Sequence, residues 1–108
     1  MRVFAEITPE EAQTRLQHGA VLVDVRERDE YEAARVAAST LIPLSEFAAR
    51  VTELPMDKEV VLICAGGVRS ARAAEYAQAQ GYTVTNLEGG INAWAAAGLP
   101  VETGATHE

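Results

Sequence analysis

The sequence predicts an α/β fold, a parallel sheet with helices on both faces. Three observations predict it. Short apolar runs alternate with helical patterns along the whole chain. The runs Val21-Leu22-Val23-Asp24-Val25 and Glu59 to Ile63 are apolar and β-branched, as strands buried on both faces are. The helical stretches are punctuated by caps, glycines and prolines.

Taken in order, Val3 to Ile7 reads as a short first strand. Thr8-Pro9-Glu10-Glu11 then supplies an N-cap, a proline at the first helical position and a capping-box acid. The helix it starts should run to His18 and close at Gly19. After the strand Val21 to Val25, Asp29 is the expected cap of a short helix through Tyr31 and Ala34. Leu41-Ile42-Pro43 reads as a strand that its proline stops or confines to an edge. Ser45 is expected to begin a helix with the stripe Phe47, Ala48 and Val51, ended by Pro55. Glu59 to Ile63 is the next strand. The loop Cys64-Ala65-Gly66-Gly67-Val68-Arg69 leads into a helix from Ser70 to Gln80, closed by Gly81 at a left-handed position. Thr83 to Leu87 is the last strand expected. A final helix after Gly89-Gly90 carries Ile91 and Trp94 and ends by Gly98 and Pro100.

At 108 residues, 48% of them apolar and 23% charged, the chain has the size and core of one domain. Residues 1–102 are read as that domain and 103–108 as a short polar tail. Nine Lys and Arg against sixteen Asp and Glu give a net charge of −7, which disfavours nucleic acid and anionic membrane surfaces as partners. No stretch is long enough to span a bilayer, and the first residues do not read as a secretory signal. The lone cysteine excludes an internal disulfide, and His18 and His107 lie far apart, so no metal site is expected. The expected compartment is the reducing cytoplasm, where such a thiol stays free.

In parallel α/β sheets the ligand site lies beyond the carboxyl ends of the strands, and Cys64 falls at such an end, just before a helix. Loop amides and the positive end of the following helix make an anion site there. Gly66 and Gly67 permit left-handed backbone and close approach, and the same field lowers the pKa of Cys64. A cysteine ending an apolar strand is otherwise a small buried hydrophobe. The paired glycines, Arg69 and the helix start that follow it favour a nucleophile.

The segment Cys64 to Ser70 resembles the active-site loop of rhodanese domains, C-x-x-G-x-R-[ST]. Three further stretches resemble the family in order: Asp24-Val25-Arg26-Glu27 with Glu30-Tyr31, Ile42-Pro43-Leu44, and Leu87-Glu88-Gly89-Gly90 through Trp94 to Gly98-Leu99-Pro100. The resemblance spans about Thr8 to Pro100. It implies a five-stranded parallel sheet flanked by helices and transfer of a sulfane sulfur through a Cys64 persulfide, with no external cofactor. The donors and acceptors implied are small sulfur anions, persulfides or a protein.

On this resemblance Cys64 is the catalytic nucleophile, and the backbone amides of Ala65, Gly66, Gly67, Val68, Arg69 and Ser70 bind substrate. Arg69 either contacts substrate or braces the loop, and Ser70 reads first as a helix N-cap. Asp24 and Arg26 end the second strand at the same sheet edge as Cys64, where they either organise the site through an ion pair or hydrogen bonds to its loops or give plain structural support, the reading favoured for Asp24. Glu30 and Tyr31 read as a helix start and its anchor, and Trp94 as core.

The family's Gly-His-Ile-x-Gly-Ala segment is here Ala34-Arg35-Val36-Ala37-Ala38-Ser39, which should turn differently. Ala65 stands where many thiosulfate-using relatives carry a basic residue, and Val68 is likewise uncharged, which leaves the donor open among thiosulfate, a persulfide, a polysulfide and a protein. Two rivals stand beside the sulfur reading. Cysteine phosphatases place five residues between Cys and Arg, whereas four separate Cys64 from Arg69. A noncatalytic or regulatory binding module, or a slow sulfur-relay carrier, would share the fold.

Overall fold

The computed structural model describes residues 4–104. Five strands form one parallel sheet, β1 (Ala5–Ile7), β2 (Val21–Asp24), β4 (Thr40–Leu41), β5 (Val60–Ile63) and β6 (Val84–Leu87), in the order β1-β6-β5-β2-β4. Around it lie α1 (Pro9–Gln17), α2 (Arg28–Ala33), α3 (Leu44–Arg50), α4 (Val68–Ala79) and α5 (Gly90–Ala96). A second, antiparallel pair joins β3 (Ala34–Arg35) to β7 (Glu102–Thr103).

The central strand β5 is buried on both faces, and its side chains alternate between two cores. Val60 and Leu62 pack with Phe47, Ala74 and Ala77 beneath α3 and α4, and Cys64 continues that register. Val61 and Ile63 pack with Ala12, Ile91 and Trp94 beneath α1 and α5. Each fully buried Val or Leu contributes about 1.5–3 kcal/mol of transfer free energy, so β5 anchors the loop that follows it. Small residues Ala71, Ala73, Ala74 and Ala77 let α4 lie close on the sheet.

The capping box at Thr8 forms as expected: the Glu11 amide donates to Thr8 Oγ1 at 3.1 Å and the Thr8 amide to Glu11 Oε1 at 3.0 Å. Gly81 takes φ +97 past the end of α4, the left-handed position expected of it.

Several boundaries differ from expectation. The first strand begins at Ala5, and Val3 lies outside the described residues. The cap of α2 is Glu27, not Asp29, because the Tyr31 amide already closes a turn on the Glu27 carbonyl at 3.1 Å. Helix α3 starts at Leu44, whose amide is tied to the Val25 carbonyl at 2.9 Å, and ends at Arg50 in a short 3-10 turn. The strand near Pro43 is only Thr40–Leu41.

The largest difference is the β3–β7 pair, in which Ala34 faces Thr103 and Arg35 faces Glu102. Thr83 to Leu87 is therefore not the last strand, and the polar segment after Val101 is tied down at its start. The segment Ala34 to Ser39 turns without a positive φ. The Ser39 amide and hydroxyl both reach the Val36 carbonyl, and Tyr31 Oη donates to the Ser39 carbonyl at 2.8 Å.

Candidate active site

Cys64 ends the buried run of β5 and is 1% exposed. Its Sγ accepts the Gly67 amide at 3.1 Å and the Ser70 hydroxyl at 3.2 Å. Burial pushes the thiol pKa up, but the Ser70 hydroxyl and the backbone amides of Ser70, Gly67 and Gly66 outweigh it, so the pKa lies below its ordinary value. These donors are free to face sulfur because the first amides of a helix have no carbonyl partner within it.

Helix α4 begins at Val68, with Gly67 as its N-cap at φ +103. Ser70 is therefore not a cap. It sits in the first helical turn, fully buried, and spends its hydroxyl on the sulfur. Val68 and Arg69 also belong to the helix rather than to the connection before it. Of the two loop glycines only Gly67 needs left-handed backbone; Gly66 lacks a positive φ, and a Cβ added there meets nothing within 4 Å. Gly66 contributes its amide alone.

The back of the loop is held by the start of α5. The Ile91 amide donates to the Cys64 carbonyl at 2.8 Å and the Asn92 amide to the Ala65 carbonyl at 3.1 Å. Gly90 makes this approach possible, since a Cβ there would lie 2.3 Å from the Cys64 carbonyl oxygen. Asn86 on β6 adds a bond from Nδ2 to the Gly67 carbonyl at 3.1 Å.

Arg69 forks onto Glu30 of α2, at 2.8 and 2.9 Å. The Arg69 hydrogen bond, opposed by partial burial, holds the Glu30 carboxyl at about 2. Of the two roles open to Arg69, this geometry supports the bracing one. Asp24 is fully buried and receives the Arg26 guanidinium at 2.8–3.1 Å together with the Arg26 amide at 2.9 Å. Arg26 also donates to the carbonyls of Glu30 and Ala34, fastening α2 to the sheet.

The structure thus brings Cys64, the Ala65 to Ser70 amides, Asp24 and Arg26 to one end of the sheet. Trp94 is core, its Nε1 donating to the Pro100 carbonyl, and His18 faces the Thr14 carbonyl at the end of α1. Glu30, Asn86 and Gly90 also hold this loop in place, and sequence reasoning assigned none of them to the candidate site. The complementary charges of Glu30 and Arg69 were a usable signal for the first.

The family model of the rhodanese-like domain matches residues 8–97. The chain belongs to the rhodanese-like domain family. A sulfurtransferase of Allochromatium vinosum is 40% identical over 82 residues, covering 75% of this chain and 77% of the relative. The thiosulfate sulfurtransferase GlpE of Pseudomonas syringae pv. syringae is 36% identical over 95 residues, 87% of this chain and 90% of that protein. An HTH-type transcriptional regulator of Mycobacterium tuberculosis is 39% identical over 102 residues, but the chain spans only 45% of its length. Among solved structures, a rhodanese-related protein from Thermoplasma volcanium superposes with a TM-score of 0.87 at 33% identity, covering 92% of this chain and 98% of that one. The rhodanese-like domain described here has no helix, among its described residues, long and apolar enough to cross a membrane.

Proposed function

We propose that this rhodanese-like domain is a sulfurtransferase that carries a sulfane sulfur on Cys64. The observation that carries the reading is the donor cradle on Sγ, where two hydrogen bonds and neighbouring amides favour the thiolate against the opposing effect of burial. A buried structural cysteine has no use for such a cradle.

In the first half-reaction the Cys64 thiolate attacks the outer sulfur of the donor. A new S–S bond forms to Sγ, the donor's own S–S bond breaks, and the electron pair leaves on sulfite, if thiosulfate is the donor, or on a thiolate. The second half-reaction returns the outer sulfur to a thiophilic acceptor and restores the Cys64 thiolate. The Gly66, Gly67 and Ser70 amides would stabilise anionic sulfur through both steps without reorganising. Arg69, Asp24 and Arg26 would hold the cradle in place. Ala65 and Val68 are neutral, so thiosulfate, a small persulfide and a protein persulfide all fit the chemistry. The reaction needs no external cofactor, and a reducing cytoplasm would keep Cys64 ready for it.

Intact-mass measurement after brief exposure to thiosulfate and, separately, to glutathione persulfide tests the reading. One added sulfur on the wild type and none on Cys64→Ser is the expected result. Failure of both donors to load Cys64 would favour a noncatalytic binding module. Robust aryl phosphate turnover that disappears in Cys64→Ser would replace sulfur transfer with phosphatase chemistry.

A further inference from the structure

The two arginines that the site contributes are already committed. Arg69 is forked onto Glu30, and Arg26 is spent on Asp24 and two carbonyls. Ala65 and Val68 bring no charge. A small dianion approaching Cys64 therefore finds backbone amides but no uncommitted guanidinium from these residues.

Beside the loop lies a cleft of about 400 Å³ that shares Gly66, Gly67 and Val68 as its wall. Its charged lining is Glu6, Glu75 and Glu88 against Arg72 alone. Asn86, 1% exposed, also lines it and gives an independent indication of what it binds. Its Nδ2 is turned to the Gly67 carbonyl and the Glu6 carboxylate, which leaves Oδ1 a buried acceptor without a partner among the described residues. The Glu75 and Glu88 carboxylates and the orphan amide oxygen call for N–H donors, and ammonium and guanidinium groups are donors only. Val68, 70% exposed, adds an apolar contact on the same wall. An apolar contact with a charged surround is the anatomy of a protein interface, and a small inorganic anion uses neither part.

We infer that this cleft docks a sulfur-exchanging protein whose persulfide-bearing cysteine is flanked by a lysine or arginine. The inference rests on the sulfurtransferase reading and names its partner class. In the step it serves, the Cys64 thiolate attacks the partner's outer sulfur and an S–S bond forms to Sγ. The partner's S–S bond breaks and its electron pair leaves on the partner thiolate, which takes a proton from solvent. No oxidant or reductant is consumed.

The test loads the domain with inorganic polysulfide, with cysteamine persulfide and with two short persulfide peptides, one flanking its cysteine with lysines and the other with glutamates. Loading rates are read by intact mass on the wild type and on a Glu75→Lys/Glu88→Lys double variant, at low and high salt. The lysine peptide should load the wild type about tenfold or more faster than the glutamate peptide, as complementary charge accelerates encounter, with the ratio falling in high salt. The double variant should lose or reverse that ratio while polysulfide still loads it. Equal rates for the two peptides, or a ratio the variant leaves unchanged, would overturn the inference and leave sulfur transfer intact. Cysteamine persulfide loading as fast as the lysine peptide, with the same sensitivity to the variant, would overturn the protein partner in favour of a small aminothiol. If polysulfide and every other donor fail to load Cys64, the sulfurtransferase reading falls and this inference with it.

Discussion

Arg69, in the first turn of the helix after Cys64, grips Glu30 with both guanidinium arms at 2.8 and 2.9 Å. The bond joins the turn after Cys64 to a helix residue 39 positions earlier in the chain, and it commits the Arg69 guanidinium to holding the two together.

The pair makes stability depend on pH in a defined direction. Glu30 is held at about 2 against an ordinary 4.5, chiefly by the Arg69 hydrogen bond. A depressed carboxyl stabilises the fold above its unfolded pKa, and that contribution is lost as pH falls from about 4.5 toward about 2. Both side chains are about one third exposed, so solvent and salt weaken the effect. Urea midpoints of wild type and Glu30→Gln should differ at neutral pH and converge as the pH drops through this window. A difference that stays constant to the acid end would show that the pair is not formed.

The loop glycines should separate sharply on substitution. Gly66→Ala places a Cβ in open space at ordinary φ and should be neutral or stabilising by up to about 1 kcal/mol. Gly67→Ala forces alanine into left-handed backbone with a Cβ 3.2 Å from the Gly89 amide nitrogen. Gly90→Ala puts its Cβ 2.3 Å from the Cys64 carbonyl oxygen. These two should lose about 1–3 kcal/mol or more, and in a domain of this size each kcal/mol moves the melting temperature by roughly 4–8 °C. Thermal melts that rank Gly66→Ala as the worst of the three would contradict the loop geometry.

The order of elements was legible because its signals are local. The alternation of β5, the box at Thr8 and the left-handed close at Gly81 each depend on a few neighbouring residues. The start of α4 was misread by two residues because serine suits two positions equally well. Whether Ser70 caps a helix or donates to sulfur depends on where Cys64 lies in space. The β3–β7 pair gave no signal, since strands of two residues carry no period and their partners are distant in sequence. The Glu30 brace and the Gly90 contact are likewise long-range relations. Each became visible only when the sheet brought its ends together.

Asp24 and Arg26 form the most buried ion pair of the site, with side chains 0% and 6% exposed. Removing one partner strands the other charge away from water, which costs about 3–5 kcal/mol. Asp24→Asn should fall in that range by urea denaturation. A double replacement, Asp24→Asn with Arg26→Met, should cost less than the sum of the single changes, because neither residue is then left charged and unpaired. Simple additivity in that cycle would show that the two residues act independently, as plain packing rather than as a pair.

Ser70→Ala tests the cradle at its most specific point. Burial raises the Cys64 pKa, and the Ser70 hydroxyl is the largest influence acting against it. Without that hydroxyl the pKa should rise, so alkylation by iodoacetamide at neutral pH should slow several-fold while the plateau rate at high pH is kept. Stability should respond with the matching sign. A lowered thiol pKa stabilises the fold fully above the unfolded value and progressively less as pH falls toward the folded one. The wild type should therefore gain on Ser70→Ala as pH rises from the folded value toward the ordinary 9.0, and lose that gain as pH falls through the folded value. Sulfur loading should track the alkylation profile, because both report the thiolate. If loading slows while the thiolate titration, followed by its ultraviolet absorbance, stays where it was, Ser70 acts on the bound donor rather than on the resting cysteine.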